Sequence, residues 1–241
     1  MNPYRDEAIV LRTYRLREAD RICVLLTAEH GKVRAVAHGV RRTTSRLGAR
    51  LEALDHVDVQ VAPGRTELGT VRQALPRGAA PDLRSSFETL AAAMVVVESA
   101  DAATLEHHPD PEYFEMVRRA LVAVATAPDP SLAATAFLLK TLAHDGAAPV
   151  LDRCASCGSD GELVAFEFLE GGLLCASCRR GRPVTADGVE LLRRILLGGL
   201  AGVLKEGRPA GADEVAAIAV DAMEAHVGRR LRAARTVEAR P

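Results

Sequence analysis

The 241-residue sequence contains no tryptophan, and aromatic residues make up only 3% of it. Residues 1–80 hold just two, Tyr4 and Tyr14, so the aromatic platforms on which many single-strand binders stack bases are scarce. Lysine is nearly missing as well: three lysines stand against 28 arginines, a bias that a GC-rich genome accounts for before function does. Long apolar runs are absent. The most hydrophobic uncharged stretches, Leu90 to Val97 and Ile195 to Leu204, fall well short of the roughly 18 residues of a membrane span. Met1 to Leu16 lacks the apolar block and small-residue cleavage site of a secretory signal. The expectation is a cytoplasmic protein with no membrane attachment. Equally absent are a Walker loop, a Rossmann glycine fingerprint, a G-x-S-x-G elbow, an H-E-x-x-H helix and the zinc-deaminase signature. With no base, nucleophile or open metal position in view, no enzyme is expected.

What is present is the composition of a soluble globular protein, 48% apolar and 26% charged, long enough for one large domain or two small ones. The net charge of −1 hides an asymmetry. Residues 1–80 carry 14 basic against 9 acidic residues, and the remainder 17 against 23.

Short segments rich in β-branched residues fill the first eighty positions. Glu7 to Arg17, Arg21 to Thr27, Val33 to Val40, His56 to Ala62 and Leu68 to Leu75 read as strands, with glycine and proline turns at His30-Gly31 and Pro63-Gly64. Five such strands fit a small closed barrel, either an OB-fold or an SH3-like barrel. After Pro81 the period becomes helical. Ser85-Ser86-Phe87-Glu88 reads as a capping box for a helix to about Ala103, Asp110-Pro111 opens a helix to about Thr126, and Ser131 caps a third ending at Gly146. Thr185 to Leu197 and Asp213 to Arg232 give two more.

Cys154, Cys157, Cys175 and Cys178 form C-x2-C-x17-C-x2-C, the spacing of a four-cysteine zinc site. Two C-x-x-C knuckles each turn two thiolates toward one point, completing the tetrahedral shell that Zn²⁺ prefers. Leu163 to Leu169 and Gly171 to Leu174 should form a hairpin carrying the second knuckle, as in a zinc ribbon. Four sulfur ligands leave no open position, so the ion is expected to be a structural staple. The fifth cysteine, Cys23, lies in the apolar run ICVLL and reads as core.

The basic excess of the N-terminal part is sharpest from Lys32 and Arg34 through Arg41, Arg42, Arg46 and Arg50, and Gly39 to Arg50 contains no acid. A basic loop leaving a barrel suits phosphate contacts, with Thr43, Thr44 and Ser45 adding hydroxyl hydrogen bonds. The residues alone support a merely solvated loop equally well. The acidic helical part is the expected meeting place for protein partners.

Three groups of residues together resemble the RecO family of bacterial DNA repair and recombination mediators. They are E-x-I-V-L-R-T-Y-x-L-x-E-A-D-R from Glu7 to Arg21, followed by L-L-T-x-x-x-G-K to Lys32 and G-V-R-R-x-x-S to Ser45; L-L-x-x-L-A-x-D-G-x-x-P-V-L-D-x-C-x-x-C-G from Leu138 to Gly158; and H-V-G-R-R-L-R from His226 to Arg232. The resemblance implies an α+β multidomain protein. It would comprise an OB-fold nucleic-acid-binding domain at 1–80, a helical bundle domain begun by 81–150 and completed by 185–241, and a zinc-ribbon-like module at 151–184. It implies binding of single- and double-stranded DNA, annealing of complementary strands and, without catalysis, recombinase loading together with RecR on strands covered by single-stranded DNA-binding protein, whose acidic, apolar-ended tail would be a partner in a helical groove rimmed by an arginine such as Arg118 or Arg119. A nucleoid-associated place in the cytoplasm follows. Lys32, Arg41, Arg42 and Ser45 match the family pattern as DNA contacts, with Arg34 and Arg46 added from local charge. The rival reading is a zinc-ribbon regulatory or scaffold protein that binds RNA or a protein through its basic barrel.

Overall fold

The computed structural model describes residues 2–40, 50–64, 68–77 and 81–234. The chain divides into two compact units, Met1–Leu83 with Val97–Leu121, and Arg84–Val96 with Val122–Pro241.

The first unit is built on five strands, β1 (Tyr4–Arg15), β2 (Arg21–Thr27), β3 (Gly31–Ala37), β4 (His56–Ala62) and β5 (Leu68–Pro76). They close in the order β1-β2-β3-β5-β4, with β4 returning to β1. Every pairing is antiparallel except that of β3 with β5. This is the OB arrangement, and it decides between the two barrels left open by the strand pattern. The interior is narrow, so small side chains fill it: Ala8, Val10, Ala35, Ala37, Val57 and Val59 are all at most 2% exposed. β1 changes register between Val10 and Arg12. Residues 54–55 fill the break: the Val10 N–H donates to the Asp55 carbonyl at 2.9 Å and the Leu54 N–H to the Val10 carbonyl at 2.8 Å. Leu54 is held there at a φ of +79°, costly for a branched side chain.

Three helices follow, α1 (Phe87–Ala103), α2 (Pro111–Thr126) and α3 (Pro130–His144). One of the expected caps moves. At α1 the Ser86 hydroxyl accepts the N–H three residues on, from Thr89, at 3.1 Å. At α3 the cap is Asp129, whose carboxylate accepts from the Ser131 and Leu132 N–H groups, with Pro130 as the first helical residue. An aspartate two residues upstream outcompetes the Ser131 hydroxyl because it is ionised and its proline neighbour has no N–H to satisfy. The Asp110 cap of α2 stands as expected, accepting from Tyr113 N–H at 2.9 Å.

In the second unit the hairpin β6 (Leu163–Glu167) and β7 (Gly172–Cys175) is joined by the short β8 (Arg182–Pro183). The helices α4 (Ala186–Leu196), α5 (Leu200–Val203) and α6 (Ala212–Val227) follow. α3 is buried nearly all round and packs along α6 through alanines, which let the two backbones approach. α6 stops at Val227, short of the expected Arg232. Gly228 takes a φ of +66°, and the buried Glu224 carboxylate captures the returning Leu231 N–H at 2.8 Å. Among the described residues no helix is long and apolar enough to cross a membrane.

Candidate nucleic-acid interface and metal centre

The cysteine site is assembled by local backbone turns. Gly158, at a φ of +73°, lets its N–H return to the Cys154 carbonyl at 2.8 Å and closes the first knuckle. That knuckle is tied to the hairpin by Ala155 N–H on the Leu173 carbonyl, also 2.8 Å. β7 ends on Cys175, and one helical turn, Ala176–Cys178, presents Cys178. The four sulfur atoms all lie within 4.8 Å of one another, with Cys157 and Cys175 Sγ 3.8 Å apart. Cys154 and Cys175 are buried, Cys178 is partly covered and Cys157 is exposed. The backbone N–H groups of Cys175, Cys157 and Ser156 face the Cys154 sulfur and bring its pKa down to about 6, against the effect of burial. Hydrogen bonds that Cys157 and Cys175 share with the Cys178 thiol push it up to about 12. A set of four thiols with one already inclined to ionise could hold a metal ion. Cys23 is core, as expected, and burial raises its thiol to about 12, far from reactive.

Of the six expected DNA contacts, Arg41, Arg42, Ser45 and Arg46 lie outside the described residues. The structure places Lys32 inside the first unit. Its side chain is 11% exposed, and the ammonium donates to the Asp101 carbonyl oxygen at 2.7 Å and to Asp101 Oδ1 at 3.3 Å. Arg12 Nε reaches the other carboxylate oxygen at 3.0 Å. Arg34 lies two residues on along the same strand, 40% exposed, with its Nε 3.9 Å from Glu106. Arg118 and Arg119 both engage Glu115, at 2.6 and 2.7 Å, which holds the Glu115 carboxyl at about 2.

The ends of the basic segment are anchored by residues that charge counting overlooks. Asp20, in the loop between β1 and β2, accepts the Gly39 N–H at 2.8 Å and lies 3.0 Å from the His38 ring. The Gly39 hydrogen bond, with His38 second, lowers the Asp20 pKa. At the other end Arg50 donates to the Ala74 carbonyl at 3.3 Å, and Leu51 is fully buried in the barrel. The signal for Asp20 was in the sequence, as the aspartate of the E-A-D-R run, but its partner is far along the chain.

Two family models match the chain, the N-terminal domain of recombination protein O over residues 1–79 and its C-terminal domain over residues 84–235. Over 188 residues the chain is 45% identical to the DNA repair protein RecO of a Nocardioides species, covering 73% of this chain and 74% of that protein. The barrel, the helices and the cysteine module thus occur in the order that the two models span, and the chain belongs to the RecO family of DNA repair proteins.

Proposed function

We propose that this protein is a non-catalytic mediator of recombinational repair, which binds single- and double-stranded DNA, anneals complementary strands and, with RecR, helps load recombinase onto strands covered by single-stranded DNA-binding protein. The observation that carries the reading is a barrel closed in the OB order with the acid-free segment from Gly39 to Arg50 inserted between β3 and β4. Few aromatics are at hand, so charge supplies most of the affinity. Arg41, Arg42, Ser45 and Arg46 hold phosphates, with Arg34 at the margin. Lys32, engaged with Asp101, serves by holding the strand that leads there.

The metal of the reading is one structural zinc. Zinc–sulfur bonds of about 2.3 Å at tetrahedral angles place the sulfurs about 3.8 Å apart; the Cys157–Cys175 pair is already at 3.8 Å, and all four sulfurs lie within 4.8 Å of one another. Cys154, Cys157, Cys175 and Cys178 would hold it, and it would supply folding energy to a module too small for a large core. Protein partners would be RecR and the acidic, apolar-ended tail of single-stranded DNA-binding protein. The work would be done in the cytoplasm, at the nucleoid.

The test is annealing of complementary oligonucleotides by the full chain without nucleotide, read by fluorescence quenching. Acceleration supports the mediator; DNA binding without annealing favours a scaffold. Arg41→Ala with Arg42→Ala should flatten the salt dependence of DNA binding by about one unit or more. An unchanged slope would mean a merely solvated loop.

A further inference from the structure

The usual ligand surface of an OB barrel is the outer face of its second and third strands, together with the β1–β2 and β4–β5 loops. Here that outer face is mostly covered. Cys23 and Leu25 of β2, and Val33, Ala35 and Ala37 of β3, fill the barrel interior. Of the alternate residues, which must face outward, Val24, Leu26, Lys32 and Val36 are buried too, Ile22 is partly buried and the Arg34 side chain is 40% exposed. The cover belongs to the same unit. Glu106 pairs with Lys32 in a parallel bridge, the His107 N–H donates to the Lys32 carbonyl at 3.0 Å, and the Lys32 ammonium ends on Asp101. It is seated without a gap: a Cβ at Gly31 would lie 2.3 Å from the His108 carbonyl oxygen. A strand of nucleic acid laid over β2 and β3 would have to displace residues 101–108.

The β1–β2 loop is free of this cover. Arg15 and Arg17 are exposed, and among the described residues the side chain of neither is held in a hydrogen bond or an ion pair. Their neighbours are already committed, Arg12 to Asp101 and Arg21 to Glu52. The nearby acid, Asp20, makes its hydrogen bonds to the Gly39 N–H and the His38 ring, which ties this loop directly to the end of β3, and feels the Arg17 charge only as the weakest of the influences that lower its pKa. Two guanidinium groups without an ion pair among the described residues therefore stand on a fixed platform beside the point where the basic segment leaves the barrel.

We propose that Arg15 and Arg17 form a phosphate-binding site for a single strand of DNA at the end of the barrel, and that the strand passes there instead of over β2 and β3. The proposal rests on the DNA-binding reading above. The customary face is mostly covered, and these two arginines offer forked donors that, among the described residues, no carboxylate holds in an ion pair.

The experiment measures binding of fluorescein-labelled oligothymidylate to the full-length, metal-containing protein by anisotropy over a range of salt concentrations. Arg15→Ala with Arg17→Ala should weaken binding about tenfold at low salt and reduce the slope of log K against log salt by about 1.4, at about 0.7 per lost phosphate contact. Arg15→Lys with Arg17→Lys should keep most of the slope, and Arg34→Ala, a single contact at the margin, should reduce it by less than the alanine pair does. If wild type binds but the alanine pair leaves the slope unchanged, the site is overturned while the function stands. Greater weakening by Arg34→Ala than by the alanine pair overturns it in favour of the β2–β3 path. Absence of salt-dependent binding by wild type removes the DNA-binding reading itself.

Discussion

Replacing Lys32 with methionine takes one charge out of a nearly buried cluster while keeping the length of the side chain. The ammonium makes two hydrogen bonds, to the Asp101 carbonyl oxygen at 2.7 Å and to its Oδ1 at 3.3 Å, and the Asp101 side chain is only 4% exposed. Removing one partner of a fully buried ion pair costs about 3–5 kcal/mol, since the other charge is stranded. Asp101 is not fully stranded. Arg12 Nε remains 3.0 Å from its second oxygen, although that arginine is 47% exposed and water screens it. A hydrogen bond to a charged group is worth about 1.5–3 kcal/mol, and methionine retains the packing of the lysine stem. The expected loss is therefore about 2–3 kcal/mol, a fall in unfolding temperature of roughly 5–10 °C for a chain of this size. Thermal unfolding measures that loss, and the salt dependence of oligonucleotide binding supplies the second readout. The reasoning requires a lower Tm and an unchanged slope. An unchanged Tm with a slope reduced by about 0.7, the signature of one lost phosphate contact, would refute it and make Lys32 a DNA ligand after all.

Metal analysis of protein purified without chelators should give one zinc per chain, and Cys157→Ser, at the exposed corner, should lower both metal content and unfolding temperature; intact folding at near-zero metal would sink the zinc reading. Asp20→Ala should speed hydrogen exchange at the Gly39 amide, whereas Asp20→Asn, which keeps an acceptor for the bond of 2.8 Å, should largely preserve protection. Equal exchange in both variants would remove Asp20 from its anchoring role. Glu115 is held at about 2 by Arg118 first and Arg119 with it, below its ordinary 4.5, so the stabilisation is complete above pH 4.5 and fades as pH falls through about 2. The carboxylate is 36% exposed and screened, so Glu115→Gln should cost at most about 0.5 kcal/mol at pH 7; a difference from wild type that persists undiminished at pH 2 contradicts this account.

Short runs rich in β-branched and apolar residues, set off by glycine and proline turns, were enough to mark the five strands, because such side chains favour extended backbone. The cysteine module was equally legible, since ligand spacing within each knuckle is a local property and two knuckles suffice for one ion. Helix starts were readable to within a residue or two; the exact cap depended on which of several neighbouring oxygens won, as Asp129 did over Ser131. Tertiary structure alone decided the rest. Whether the barrel was an OB-fold turned on the parallel pairing of β3 with β5, made between residues more than thirty apart, such as Arg34 and Leu68. Lys32 reads as one more basic residue of a hairpin until the chain returns 69 positions later with Asp101. The same return covers the outside of β3 and separates a basic residue that holds the fold from basic residues left free. Charge counting could not make that separation, because a side chain's availability is set by what comes to lie against it, and here that neighbour arrives from a helix beyond the barrel.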